Sequence, residues 1–223
     1  MTRTNKLLLV AISASAVSAS AMAMAGALEE KDQHKPTVTR EIAWDGSESL
    51  VVDLPAAVRF VQSAGPGKVV VTGAARSVET FRADGGVLRD ERWHTGKSLQ
   101  VVVHAPKITR FAVNGGDQLI IESFDQPELH IEARGRAEIT AAGRATTLKL
   151  DLQGSGWADL SGVATDGAEV SVSGARHALI APMSWATLSG NGTVVLLTNP
   201  AKVNTNFGDS GRVIRATPPL ARQ

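Results

Sequence analysis

The chain has no cysteine and no tyrosine. Without cysteine there can be no disulfide, no thiolate metal site and no lipid-modified cysteine of an exported lipoprotein. Aromatic residues make up 4%, too few for the stacking platforms that bind single-stranded nucleic acid. No sign of charge dominates: 23 Lys and Arg stand against 22 Asp and Glu, a formal net charge of +1. A nucleic-acid partner, which calls for a strong basic excess, is not expected. Past the first 27 residues no stretch approaches the ~20 apolar residues needed to cross a bilayer. No integral membrane segment is therefore expected once that region is removed.

The one long uncharged run lies at the start. Arg3 and Lys6 precede Leu7 to Ala23, a stretch rich in Leu, Val, Ala and Ser. Ala21-Met22-Ala23, Ala23-Met24-Ala25 and Ala25-Gly26-Ala27 each place small residues where a signal peptidase reads, and charge returns at Glu29. This is the layout of a secretory signal peptide, read here over residues 1–27, rather than of an uncleaved anchor. Cleavage leaves roughly 195 residues, enough for one substantial domain. The remaining chain has 21 basic and 22 acidic residues, a near-neutral balance compatible with self-association. Such a protein is expected in the periplasm or at the cell surface of a bacterium.

Residues 28–47 read as a flexible lead-in followed by a first strand from Val38. From there the pattern is strand, turn, strand. Leu50, Val52 and Leu54 alternate with Val51 and Asp53, and Val58 and Phe60 flank Arg59. Ala64-Gly65-Pro66-Gly67 forms a turn before Val69, and Gly85-Gly86 precedes a strand through Leu88. Leu99, Val101 and Val103 alternate again before Pro106. Period-two alternation bounded by Gly, Pro and Asp predicts half-buried strands. One short helical turn is expected from Ala75 to Phe81. Residues 48–107 are read as N-terminal strands, 108–214 as repeating coils and 215–223 as a tail.

The repeat is marked by glycine. Gly115, Gly135, Gly154, Gly174, Gly190 and Gly208 recur at intervals of about 20, 19, 20, 16 and 18 residues, a period typical of solenoids. A short alternating run precedes most of them, as in Leu148-Lys149-Leu150-Asp151-Leu152, and a second follows, as in Ala158-Asp159-Leu160. One such coil cannot bury its own apolar face, but stacked coils can, with like positions about 4.8 Å apart. Glycine and apolar positions recur together, which favours a β-solenoid over a sandwich of regular hairpins. In this reading Leu129, Leu148, Glu169 and Trp185 begin corresponding strands, and Ile131, Leu150, Val170 and Ala186 stack inside.

The run Leu148-Lys149-Leu150-Asp151-Leu152-Gln153-Gly154-Ser155-Gly156-Trp157-Ala158-Asp159-Leu160 resembles the core repeat of the putative auto-transporter adhesin, head GIN domain family. Ser173-Gly174, Ser189-Gly190-Asn191-Gly192-Thr193-Val194 and Asp209-Ser210-Gly211-Arg212-Val213 are similar units. Val101 to Ile108 resembles the family's strand-then-Pro lead into the first coil, and Asn199-Pro200 the step before its last. The resemblance covers roughly residues 48–214. It implies an all-β chain forming a right-handed parallel β-helix in bacterial envelope proteins, here with an N-terminal strand-rich portion. It implies no established activity. The tail from Ala216 is not the terminal strand of a translocator barrel, and self-secretion is not expected.

Isolated motifs with chemical meaning are better explained by the repeat. Gly208-Asp209-Ser210-Gly211 matches the surroundings of a serine nucleophile, but none of His34, His94, His104, His130 and His177 sits in the context of a general base. Acyltransferase β-helices need an aliphatic residue at every sixth position, and His177 beside Arg176 reads as a solvated corner. Asn114-Gly115-Gly116-Asp117 resembles one calcium-binding turn, but such sites take ligands from adjacent turns. Asn191-Gly192-Thr193 reads as an Asn-Gly turn. Trp157 is expected to cover the core of a neighbouring coil, with sugar stacking as the alternative, and Trp44, Trp93 and Trp185 to pack. The corners alternate in sign through Arg134, Arg136, Asp159, Arg176 and Asp209. The expectation is therefore a non-enzymatic binding or adhesion-type module without catalytic residues, metal or cofactor. Its partner would be an envelope component or a glycan. A self-associating structural envelope protein is the alternative, and a carbohydrate- or ester-processing enzyme a remote one.

Overall fold

A computed structural model describes residues 37–92, 99–116, 118–174 and 177–216, all within the compact unit Lys35–Gln223. The predicted signal segment, His34, Trp93, His94, Asp117 and Arg176 lie outside the described residues. Strand accounts for 74% of the described residues and helix for 4%, with a β-solenoid of about five turns. Apolar burial must therefore come almost wholly from sheet faces. The expected all-β solenoid is what forms.

Three long strands make the middle of the solenoid: β9 (Gln118–Gly135), β10 (Glu138–Gly154) and β11 (Trp157–Ser173). Each bends partway, so one strand supplies two legs of a coil. β9 turns at Ser123, whose φ of 57° is a left-handed value rarely taken by a residue with a side chain. The register with β10 slips by one residue at this bend, between Ala141 and Gly143. The later coils split the legs into separate strands. First legs continue through β12 (His177–Ile180), β14 (Thr193–Leu196) and β16 (Arg212–Arg215), each parallel to the one before. Second legs continue through β13 (Pro182–Gly190) and β15 (Lys202–Phe207), also parallel.

The N-terminal strands extend both rows. β2 (Ser49–Asp53) and β8 (Arg110–Gly115) lead into the second leg of β9, all in parallel. β3 (Ala56–Gln62) pairs in parallel with the first leg of β9 and with β7 (Leu99–Ala105). Antiparallel strands then close this end. β4 (Lys68–Ala74) pairs with β7 and with β1 (Thr37–Ala43) on one side. On the other, β5 (Phe81–Asp84) and β6 (Val87–Asp90) form a hairpin beside β2. Helix α1 (Ala75–Thr80) bridges β4 and β5 where one helical turn was predicted, with Val78 buried.

The core is a set of ladders. Leu129, Leu148, Ala168 and Ala186 stack, as do Ile131, Leu150, Val170 and Leu188. All eight are buried. This corrects the expected register at the third and fourth of these strands. The strand starts are Ala168 and Ala186, not Glu169 and Trp185, and Leu188 rather than Ala186 follows Val170. Each of these strands holds one residue more than its neighbour at the bend, β11 between Asp159 and Gly162 and β13 between Pro182 and Trp185, where Met183 is 68% exposed. A one-residue slip exchanges the two faces of a strand, so Glu169 and Trp185 point outward. Toward the N-terminal end the core is aromatic: Phe111 meets Phe60 at 5.1 Å and Phe124 at 6.4 Å between ring centroids, both edge-on. The buried Thr165 hydroxyl is satisfied by donating toward the carbonyls of Gly167 and Thr146, at 2.9 and 3.1 Å.

The coil corners explain the glycine spacing. Gly154 has φ of +108°, and a Cβ there would collide with the backbone of Gly135 in the coil below. Two neighbouring coils thus meet backbone to backbone. Gly190 departs from the ladder, lying opposite Val172 rather than Gly174. Asn191 compensates, its Oδ1 accepting the Gly174 N–H at 2.8 Å.

Gly154→Ala should cost about 1–3 kcal/mol of stability, since it combines a strained φ with a backbone clash. Gly65→Ala has a similar φ but open space around it and should cost less than Gly154→Ala. Urea unfolding followed by circular dichroism separates the two. Phe111→Ala, which removes the ring shared by Phe60 and Phe124, should cost about 3–5 kcal/mol in the same assay.

Candidate functional site

Alternation along the second legs places every other side chain on an outer sheet face. Parallel register then aligns these side chains across coils. Arg110, His130, Lys149, Glu169, Thr187 and Asn204 form one row. Ala112, Glu132, Asp151, Ser171, Ser189 and Asn206 form the next. The rows change character along the solenoid. In the earlier coils they carry charged groups: Lys149 lies 3.0 Å from Glu128, and the His130 ring lies 3.5 Å from Glu132. In the later coils they carry hydroxyls and amides. A shallow open groove of about 370 Å³ runs across the transition, with Glu169, Ser171, Thr187 and Ser189 on its floor.

A third row holds Thr147, Gly167, Trp185 and Lys202. The Trp185 indole lies across Gly167, its atoms filling the space that any side chain at that position would need. The ring is half-buried rather than enclosed. Trp185 is thus a packing residue, as expected, but it packs on the outside of the sheet, two residues before Thr187 of the groove floor on the same face of β13.

The first legs present a different face. Trp157 stacks on His177 of the next coil, with ring centroids 6.1 Å apart and planes inclined by 19°. Trp157 therefore covers a neighbouring coil, but on its outer surface, not its core. Leu179, Val195 and Ile214 make an apolar row beside this stack, and Ile214 is 46% exposed. At the other end of the same face, Arg59 lies in an open depression and sits 3.7 Å from Glu122.

The remaining sequence candidates are dispersed. Asp209 and Ser210 lie exposed in the turn between β15 and β16. His177 is committed to the Trp157 stack on β12, a strand separated from β16 by β14. His130 is on the groove and His104 on β7. Asn114 and Gly115 end β8. Among the described residues no three His, Asp or Glu side chains cluster as metal ligands. Trp44 packs against Gly67 and donates its indole N–H to the Ser47 carbonyl at 3.0 Å. No helix among the described residues is long and apolar enough to cross a membrane. The sequence reading missed the second-leg groove, because its rows exist only once the register is known.

Comparison with known proteins places this geometry. No curated protein matches the chain. Among solved structures, a "putative adhesin" from Bacteroides fragilis superposes with a TM-score of 0.60 at 11% identity, over 82% of this chain and 98% of that one. A "putative adhesin" from Parabacteroides distasonis does so with a TM-score of 0.52 at 13% identity, over the same shares. At such identities the likeness is one of fold. The family model "Putative auto-transporter adhesin, head GIN domain" matches residues 47–200, most of the solenoid and its N-terminal strands. The chain thus belongs to the head GIN domain family of putative auto-transporter adhesins.

Proposed function

We propose that the chain is an exported, non-catalytic binding module of adhesion type, working in the bacterial cell envelope. The observation that carries this reading is the second-leg face. There a rigid backbone holds rows of polar side chains in register over six strands, ending in uncharged hydroxyls and amides. Such a surface can engage an extended partner at many equivalent points, because each coil offers similar groups one rung further along. Its groove is open and shallow, suited to a polymer lying across the rungs rather than to a small molecule enclosed in a pocket. Export is supported by the N-terminal charge, apolar run and A-x-A sites. Membership in an adhesin-type family agrees with both.

A second reading is self-association through the last coil. At the last coil β15 pairs only with β13 and β16 only with β14 among the described residues. Val203, Phe207 and Val213 pack on the core there but are only partly buried. An open strand edge is a template for pairing with another chain. Pairing of this end with the same end of a second copy would be two-fold and would stop at a dimer. Sedimentation velocity over a wide concentration range should reveal this dimer, and a monomer at the highest concentration removes the reading.

Localisation tests the main proposal. An epitope tag at the C-terminus, cell fractionation and protease treatment of intact cells should place the chain outside the cytoplasm, with an N-terminus beginning after Ala23, Ala25 or Ala27. Loss of the tag from intact cells means a surface adhesion role. Survival until the outer membrane is opened means a periplasmic partner. Recovery of the uncleaved chain in the cytoplasm defeats the proposal.

A further inference from the structure

We propose that the groove beside Trp185 is a binding site for a neutral glycan chain; the assignment rests on reading the protein as an envelope binding module. Three observations meet at one place. The first is the aromatic platform. Trp185 lies over Gly167, and the absence of a side chain at Gly167 is what lets the indole rest on the sheet. The residue is only partly buried, so part of the indole reaches solvent. A pyranose ring has a face of C–H groups that packs on such a surface, with its hydroxyls left free around the rim, and indole combines a large apolar area with low conformational cost.

The second is the chemistry of the floor. Thr187 and Ser189 follow Trp185 along β13 on the same face, while Glu169 and Ser171 lie beside them on β11. Asp151 continues the row on β10, where it also accepts from Gln153 Nε2 at 3.0 Å. The floor is thus rich in acceptors and in hydroxyls that both donate and accept. Sugar hydroxyls are complementary to it, and their bonds to carboxylates are charge-assisted. Lys149 is held 3.0 Å from Glu128, and Lys202 lies beside Trp185 on β15, on the side away from Asp151 and Glu169. Asp151 and Glu169 would repel an anionic polymer, so the floor selects uncharged sugar.

The third is repetition. The platform and floor sit on adjacent rungs about 4.8 Å apart. Asn204 and Asn206 carry the two polar rows onto the last coil. A chain of sugar residues crossing the rungs meets polar groups at each step, so affinity should rise with oligosaccharide length.

The test uses the exported chain purified from cells and isothermal titration with cellohexaose, maltohexaose and N-acetylchitohexaose, with polygalacturonate as the anionic contrast. At least one neutral hexasaccharide should bind, more tightly than its disaccharide, and polygalacturonate should not. Trp185→Ala should weaken binding by about tenfold or more. Thr187→Arg, which leaves the indole in place but fills the groove, should do the same, and Trp157→Ala on the opposite face should leave affinity unchanged. Circular dichroism checks that each variant is folded. Absence of binding to all three neutral sugars, or binding indifferent to both Trp185→Ala and Thr187→Arg, overturns the proposal. Cosedimentation with crude envelopes separates the two levels of failure. If the sugars fail while the chain still cosediments, the glycan site is wrong and the envelope-binding reading stands. If it does neither, both fall.

Discussion

Each coil of this protein is a single layer of backbone, too thin to bury its own apolar residues. Only the coils above and below can remove Leu150 or Val170 from water, and they do so only in register. A fully buried side chain of this size contributes about 1.5–3 kcal/mol, so the inward ladders supply the main cohesive force. No disulfide or metal–thiolate staple can substitute, since the chain has no cysteine. Everything else follows from keeping the ladders aligned. Glycine is needed where neighbouring corners touch backbone to backbone. Where a coil changes length, the error is absorbed in outward bulges such as that at Met183, leaving the core continuous.

The same register that builds the core also writes the outer surface. Inward alternation fixes outward alternation, and parallel pairing aligns outward residues into rows. The backbone of the second-leg face is therefore set by the same register as the core beneath it. Its composition differs sharply from that of the first-leg face, where Trp157, His177 and the row from Leu179 to Ile214 are aromatic and apolar. Two faces of one solenoid thus offer distinct chemistries, and the hydroxyl-rich one carries the aromatic platform suited to sugar.

The two ends differ as well. A sheet edge left open invites uncontrolled pairing. At the N-terminal end β1, β4 and the β5–β6 hairpin reverse strand direction and, with α1, close the stack. At the other end the last strands carry Lys202, Arg212 and Arg215, all exposed, and charge of this kind on an edge discourages indiscriminate pairing.

Most of the architecture was legible in the residues. Period-two alternation placed the strands from Leu50 to Val103 and their inward faces, the glycine interval announced the coils, and the short helix after Ala75 was readable from its break in alternation. These are local signals, carried by neighbours in sequence. The pairing of coils is not local. The sequence reading aligned Glu169 and Trp185 with Leu129 and Leu148, whereas Ala168 and Ala186 occupy those rungs, because residues added at the bends carry no local mark. Only the stacked structure shows that Trp185 faces out, that Gly167 leaves room beneath it, and that Thr187, Ser171 and Asp151 lie beside one another. The sequence by itself determined an all-β solenoid with alternating faces, because alternation and glycine spacing are properties of the chain. The tertiary structure decided which outward residues share a surface, because that depends on register between coils nearly twenty residues apart.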